Sequence, residues 1–202
     1  MASRGRPRTF DRDAALRTAM ELFWRHGYEG TSVSMLTGAL GITPTSLYAA
    51  FGSKTELFDA AIELYDSPGT SPTDRALTYA DARQAIETML RANADTYTDP
   101  TTPAGCMVVL SAINLGSGHD HVGRKLAQRR QRDTEKVRAR IERGVATGDL
   151  PATLDAELAA SYLQTVLHGL SIQARDGCTR ERAHAIVDVA LAGWDALVAR
   201  PA

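Results

Sequence analysis

The 202-residue sequence has little cysteine, no excess of either charge and no long apolar run. Its two cysteines, Cys106 and Cys178, make neither a disulfide framework nor a metal cluster. The 23 Lys and Arg stand against 24 Asp and Glu, so a global basic excess cannot argue for a nucleic-acid partner. The longest strongly apolar run, Cys106 to Ile113, is far short of the ~20 residues of a membrane span. No apolar run of signal-peptide kind follows the basic N-terminus. A cytoplasmic chain without membrane association is the expectation. Phosphate loop, nucleophile elbow and dinucleotide fingerprint are missing, so neither an enzyme nor a bound cofactor is expected. Gly116–His121 carries two histidines and an aspartate, but no further ligands at a spacing that would fix a metal. Strand alternation is missing too, and beyond residue 72 only helical patterning remains. The fold class is therefore all-α.

What is present centres on Gly41–Lys54. Gly41 supplies the positive φ of a helix stop, Thr43 a cap for the next helix, and Pro44 a first helical residue whose missing N–H is harmless. Leu47 and Phe51, four apart, face inward together, leaving Thr45, Ser46, Tyr48 and Ala49 elsewhere. That outer surface is small, hydroxylated and uncharged, suited to hydrogen bonding in a groove. Ser53 and Glu56 form a capping box for the following helix, with Lys54 exposed in its first turn. Upstream, Ser32 caps a helix over residues 33–40 that ends at Gly41. Helix, glycine turn and capped helix make a helix-turn-helix at about residues 32–51.

The charge is uneven in a way that fits. Residues 1–54 hold seven Lys or Arg against four Asp or Glu, leaving sixteen against twenty for the remainder. Arg4, Arg6 and Arg8 alternate along a basic arm (residues 1–9) placed to reach phosphates or a minor groove. Asp11 caps a first helix running to about His26, whose buried stripe is Leu16, Ala19, Met20 and Phe23. The helix from Ser53 runs to about Tyr65 and links the reading unit to the rest of the chain. The loop at residues 66–72 marks a boundary, giving a head over 10–66 and a larger helical domain over 67–202.

Arg4-Gly5-Arg6-Pro7-Arg8, Ala19–Phe23, Gly27-Tyr28, Thr31-Ser32, Gly41-Ile42, Ser46-Leu47-Tyr48, Phe51–Lys54 and Leu57-Phe58 resemble, in order and spacing, the TetR family of transcriptional repressors. The resemblance is dense over residues 4–65 and looser beyond. The sequence departs from the pattern at Gly38, inside the first motif helix, and at Ala49 and Ala50, where many members carry longer polar residues. The resemblance implies a homodimer that binds double-stranded DNA and releases it when a small-molecule effector enters the C-terminal helices. It also implies DNA-contact roles for Ser32, Thr43, Thr45, Ser46, Tyr48 and Lys54. Thr45 and Ser46, early on the reading helix, are the base-reading candidates; Ser32, Tyr48 and Lys54 are phosphate contacts, which position without specifying.

Beyond residue 72, helices are expected over 81–97, 103–115, 121–147, 155–175 and 180–198, with a short turn near 74–79. The 121–147 helix carries nine cations with acids between them and reads as a solvated face. Helix 155–175 has two apolar stripes, one of them Leu158, Tyr162, Thr165, Val166, Gly169 and Ile172, so both sides require cover. With Val187, Leu191 and Trp194 of the last helix, it suggests a four-helix dimer interface. A two-fold dimer of reading heads wants a palindromic operator, its half-sites ~34 Å or a multiple apart. Polar or adaptable tips on these helices nominate Met89, Tyr97, Met107, Asn114, Tyr162, Thr165 and His168 as the effector site. Cys106 has two readings. As an early residue of a helix begun by Pro103 it is a reactive thiolate, making the chain a redox or electrophile sensor. Followed by Met107–Leu110, it is a small buried hydrophobe. A ligand-binding module without specific DNA output is the remaining alternative.

Overall fold

The computed structural model describes residues 10–67, 69, 71–113, 115–116 and 118–199. These form ten helices and no strand. The head comprises α1 (Arg12–Gly30), α2 (Val33–Leu40), α3 (Pro44–Phe51) and α4 (Lys54–Tyr65). The remainder comprises α5 (Pro72–Ala76), α6 (Ala82–Tyr97), α7 (Met107–Leu110), α8 (Asp120–Ala146), α9 (Ala156–Arg175) and α10 (Arg180–Val198).

The head follows its local chemistry. Asp11 accepts from the Asp13 and Ala14 amides, Ser32 from Met35, Thr43 from Ser46 and Ser53 from Glu56. Gly41 stops α2 with φ 65°. The capping box at α4 closes on one side only, because the Ser53 amide donates to the Phe51 carbonyl. Gly27, at φ 73°, breaks α1 near the expected place, and one further turn carries Tyr28 back onto Phe23 and Phe58. Leu57, Phe58, Ala61 and Ile62 of α4 are buried against α1. Each such large apolar side chain contributes about 1.5–3 kcal/mol.

The head does not close its core alone. Met107, Val108, Val122 and Leu126, from α7 and α8, belong to the same apolar cluster as Phe23, Phe58 and Leu36. A second cluster joins α6, α8, α9 and α10 around Met89, Leu90, Val137, Leu163, Leu167 and Trp194.

Two expectations fail here. The helix expected from Pro103 starts only at Met107, because Gly105 takes φ 78° and its carbonyl turns inward to accept from Trp24 Nε1 at 3.0 Å. The cations of α8 are not one solvated face either. Arg129 is buried and pairs with Glu63 and Asp66 at the end of α4. Arg140 is buried and donates to the Tyr79 and Ala80 carbonyls at 3.1 and 2.7 Å, and Arg143 reaches Leu77 O at 2.8 Å. Guanidinium groups here replace side-chain caps for the α5–α6 connection and moor α4 to α8.

Candidate DNA-reading surface and ligand cavity

Leu47 and Phe51 anchor α3 in the head, at 0% and 6% exposure. Their burial fixes the rotation that leaves Thr43, Thr45, Ser46 and Tyr48 exposed, together with Ser32 at the start of α2. Thr43 also holds Ser46, oxygen to oxygen at 3.0 Å, so these two hydroxyls stand as a pair. Phe10 meets the Phe51 ring edge-on, and Arg12 lies 4.9 Å from the same ring with its Nε 3.5 Å from Ala50 O. Arg12 is thus an exposed cation at the end of the reading helix that sequence reasoning passed over. Arg4, Arg6 and Arg8 lie outside the described residues.

Lys54 is not the freely exposed cation expected. Its Nζ sits 4.3 Å above the Tyr28 ring, and partial burial lowers its pKa, opposed by the charge of Glu29. Glu29 in turn accepts from Gly116 N at 3.0 Å and pairs with His119 Nδ1 at 2.6 Å, which hold its carboxyl below the usual range. The start of α4 therefore touches, through Tyr28 and Glu29, the segment that leads into α8.

Behind the head lies a cavity of about 370 Å³. Met20 and Trp24 of α1, Leu64, Tyr65 and Asp66 at the end of α4, Asn93 and Tyr97 of α6, Cys106, Val108 and Val109 around α7, Arg130 and Asp133 of α8, and Gln164, Leu167 and His168 of α9 line it. Burial pushes the Tyr65 and Tyr97 hydroxyls well up, so both are neutral phenols. Asn93 is held by Thr73 Oγ1 at 2.9 Å and Met89 O at 2.8 Å.

Of the residues nominated for the effector, Tyr97 and His168 line this cavity. Met89 does not, being wholly buried in the α6–α9–α10 core. Met107 is likewise buried, in the head's cluster, because the late start of α7 turns it there. Tyr162 donates to Ala190 O at 2.9 Å on the far side of α9, and Thr165 is exposed, donating to Ser161 O. Asn114 lies outside the described residues. One helical residue is a 100° rotation, so α9 presents 164 and 168 to the cavity where 162 and 165 were expected. The missed Gln164 had a visible signal: a glutamine within the apolar stripe of Ala160, Leu163, Leu167 and Leu170.

Cys106 lines the cavity as the residue before a four-residue helix, not within a longer one. Burial pushes its thiol up, outweighing the hydrogen bond with Tyr65. Of the two readings of Cys106, this surrounding favours the buried hydrophobe, since so short a helix offers little dipole to set against desolvation.

The outer face of α9 is uncovered. Leu158 and Ile172 are 50% and 41% exposed, Tyr162 and Val166 half-buried. Val187, Leu191 and Trp194, nominated with them, lie instead in the chain's own core at 0%, 4% and 1%. Helix α10 turns Val189 outward at 73%, and its period places that residue, not Val187, on the open side. Among the described residues no helix is long and apolar enough to cross a membrane.

A capped helix-turn-helix backed by a ligand-sized cavity defines a DNA-binding regulator rather than an enzyme. The comparisons agree. The family profile "Bacterial regulatory proteins, tetR family" matches residues 15–61, and "Tetracyclin repressor-like, C-terminal domain" matches residues 82–189. The chain belongs to the TetR family of transcriptional regulators. It is 33% identical over 198 residues to the HTH-type transcriptional repressor ComR of Escherichia coli K12, covering 97% of this chain and 94% of that one. The repressor BdcR of the same organism is 34% identical over 181 residues, covering 88% and 86%. A cysteine-substituted form of the TetR family regulator CifR, solved with 26-bp double-strand operator DNA, is 43% identical. It superposes with a TM-score of 0.88 over 94% of this chain and 100% of that one.

Proposed function

We propose that the chain is a homodimeric repressor that holds a palindromic operator and lets go when a small molecule occupies the cavity. One observation carries the reading. The cavity is walled by Leu64, Tyr65 and Asp66 of α4 and by Met20 and Trp24 of α1, the helices that carry the reading head. An occupant that pushes these walls changes the spacing of two heads in a dimer. It must favour the DNA-incompetent arrangement, because a ligand binding both states equally shifts nothing. The ion pairs of Arg129 with Glu63 and Asp66 fasten the same end of α4 to α8, so movement of α8 reaches the head directly. The repressor relatives and the operator-bound neighbour support the DNA half of the reading.

On the operator, Thr45 and Ser46 meet base edges, while Ser32, Tyr48, Lys54 and the arm's arginines hold phosphates. The division into arm, head over 10–66 and effector domain over 67–202 belongs to the same proposal, as does action in the cytoplasm, where the DNA is. The uncovered face of α9 and α10 is where the second copy sits. The test is footprinting of purified protein on its own upstream intergenic DNA at about 0.15 M salt with competitor. The expected result is a protected palindrome with half-sites about one turn, ~34 Å, or a multiple apart. No protection there, and no site selected from random DNA, would overturn the reading.

A further inference from the structure

Charge accounting within the cavity is uneven. Its two carboxylates already have cations: Asp133 with Lys136 at 3.3 Å, and Asp66 with Arg129. Arg130 has none. Its Nη1 donates to the Val108 carbonyl at 3.0 Å, and no carboxylate among the described residues lies within ion-pair distance. Burial lowers its pKa, as desolvation of an unpaired guanidinium must. Arg17, exposed, adds a second cation to the lining.

Next to this charge stand two polar side chains of α9. Gln164 is 94% buried (6% exposed), lines the cavity, and its amide has no hydrogen-bond partner among the described residues. Gln164 lies on the cavity wall beside Leu167 and His168. His168, one turn on, is kept neutral by burial and by the charge of Arg130. A neutral imidazole still offers one N–H. Arg130, Gln164 and His168 thus bring unused donors to one side of a cavity whose other walls are Trp24, Tyr97 and Leu167. Donors gathered on one side of a cavity suit an oxyanion, which can accept from all three.

We infer that the effector is a small organic acid, its carboxylate held by Arg130, Gln164 and His168 and its apolar body lying against the aromatic walls. This rests on the reading of the cavity as the effector site. A cavity of about 370 Å³ is near the lower end of ligand pockets, so the acid is compact.

The test uses the full chain and matched acid–amide pairs, from hexanoate and hexanamide to 2-naphthoate and 2-naphthamide. Affinity is read by calorimetry, and operator release by fluorescence anisotropy. Acids are expected to bind at least about tenfold more tightly than their amides, the discrimination of one charge-assisted contact. Arg130→Met is expected to erase that preference, bringing acid affinity down to about that of the amide. Gln164→Leu, which removes no charge, is expected to reduce it several-fold, and it serves should Arg130→Met fail to fold. Amides binding as tightly as acids would overturn the acid inference and leave the cavity as the effector site. No member of either series binding, in a protein that still protects its operator, would overturn both.

Discussion

Gly105 is a tightly held backbone position behind the head, and replacing it with alanine offers a graded test of the packing described above. Its φ is 78°, its amide donates to Tyr97 O at 2.9 Å, its carbonyl accepts from Trp24 Nε1, and the next amide donates to Ser171 Oγ at 2.8 Å. A methyl group there falls 2.6 Å from the Ser171 carbonyl oxygen and 2.6 Å from Leu110 Cδ1. The left-handed conformation alone costs about 1 kcal/mol for alanine. The clash with a helical carbonyl cannot be relieved by a rotamer change, so the loop shifts and the buried indole N–H loses its acceptor, about 1–3 kcal/mol more. The sum is about 3 kcal/mol. Two controls separate these contributions. Gly148 has φ 81° with nothing near the added carbon, so Gly148→Ala reports the conformational part alone, about 1 kcal/mol. Gly38 is helical and open, so Gly38→Ala stabilises by about 0.5–1 kcal/mol. The assay is urea unfolding at one fixed protein concentration, followed by tryptophan fluorescence, to which Trp24 reports. If Gly105→Ala and Gly148→Ala agree within about 0.5 kcal/mol, the steric argument is wrong.

Three further outcomes are expected. Lys54→Ala should weaken binding to all DNA sequences alike and flatten the salt dependence by about one unit of slope; a loss confined to the operator, with slope unchanged, would remove Lys54 from the phosphate contacts. Leu158→Glu with Ile172→Glu puts charge on the open apolar face of α9, and light scattering after gel filtration should find the mass halved; an unchanged mass would place the dimer contact elsewhere. For His168, burial and the Arg130 charge depress the folded-state pKa below the unfolded value of about 6.5. The unfolded chain therefore binds the proton more readily, and stability is present above that pH and lost as pH falls through it. His168→Gln should flatten the wild-type decline in unfolding free energy below about pH 6.5; parallel profiles would refute the assignment.

The head was legible because its structure is decided within a few residues. Thr43 before Pro44, Ser53 before Glu56 and Gly41 after Leu40 each satisfy or free a backbone group locally, and the helices begin and end as those residues dictate. The segment from Pro103 was not legible. Whether Gly105 continues a helix or turns depends on an indole more than eighty residues earlier in the chain. The inward guanidiniums of α8 were hidden for a similar reason. Their partners are carbonyls and carboxylates of α4 and the α5–α6 connection, and a run of mixed charge looks the same whether it faces water or protein. The cavity was half-legible: His168 and Tyr97 followed from side-chain character, whereas Gln164 required its place in the apolar stripe to be taken as a signal.

Met107, Val108, Val122 and Leu126 complete the apolar cluster of the reading head. A graft of the head onto another sensor would therefore leave Phe23 and Phe58 against a foreign surface unless those four side chains travelled with it. The unit that can be exchanged is discontinuous: the first four helices, α7, and the opening two turns of α8. Swaps made at the loop after α4 would yield chimaeras whose heads are loose before any ligand arrives. Swaps that preserve those four contacts would keep the sensor's grip on the helices it has to move.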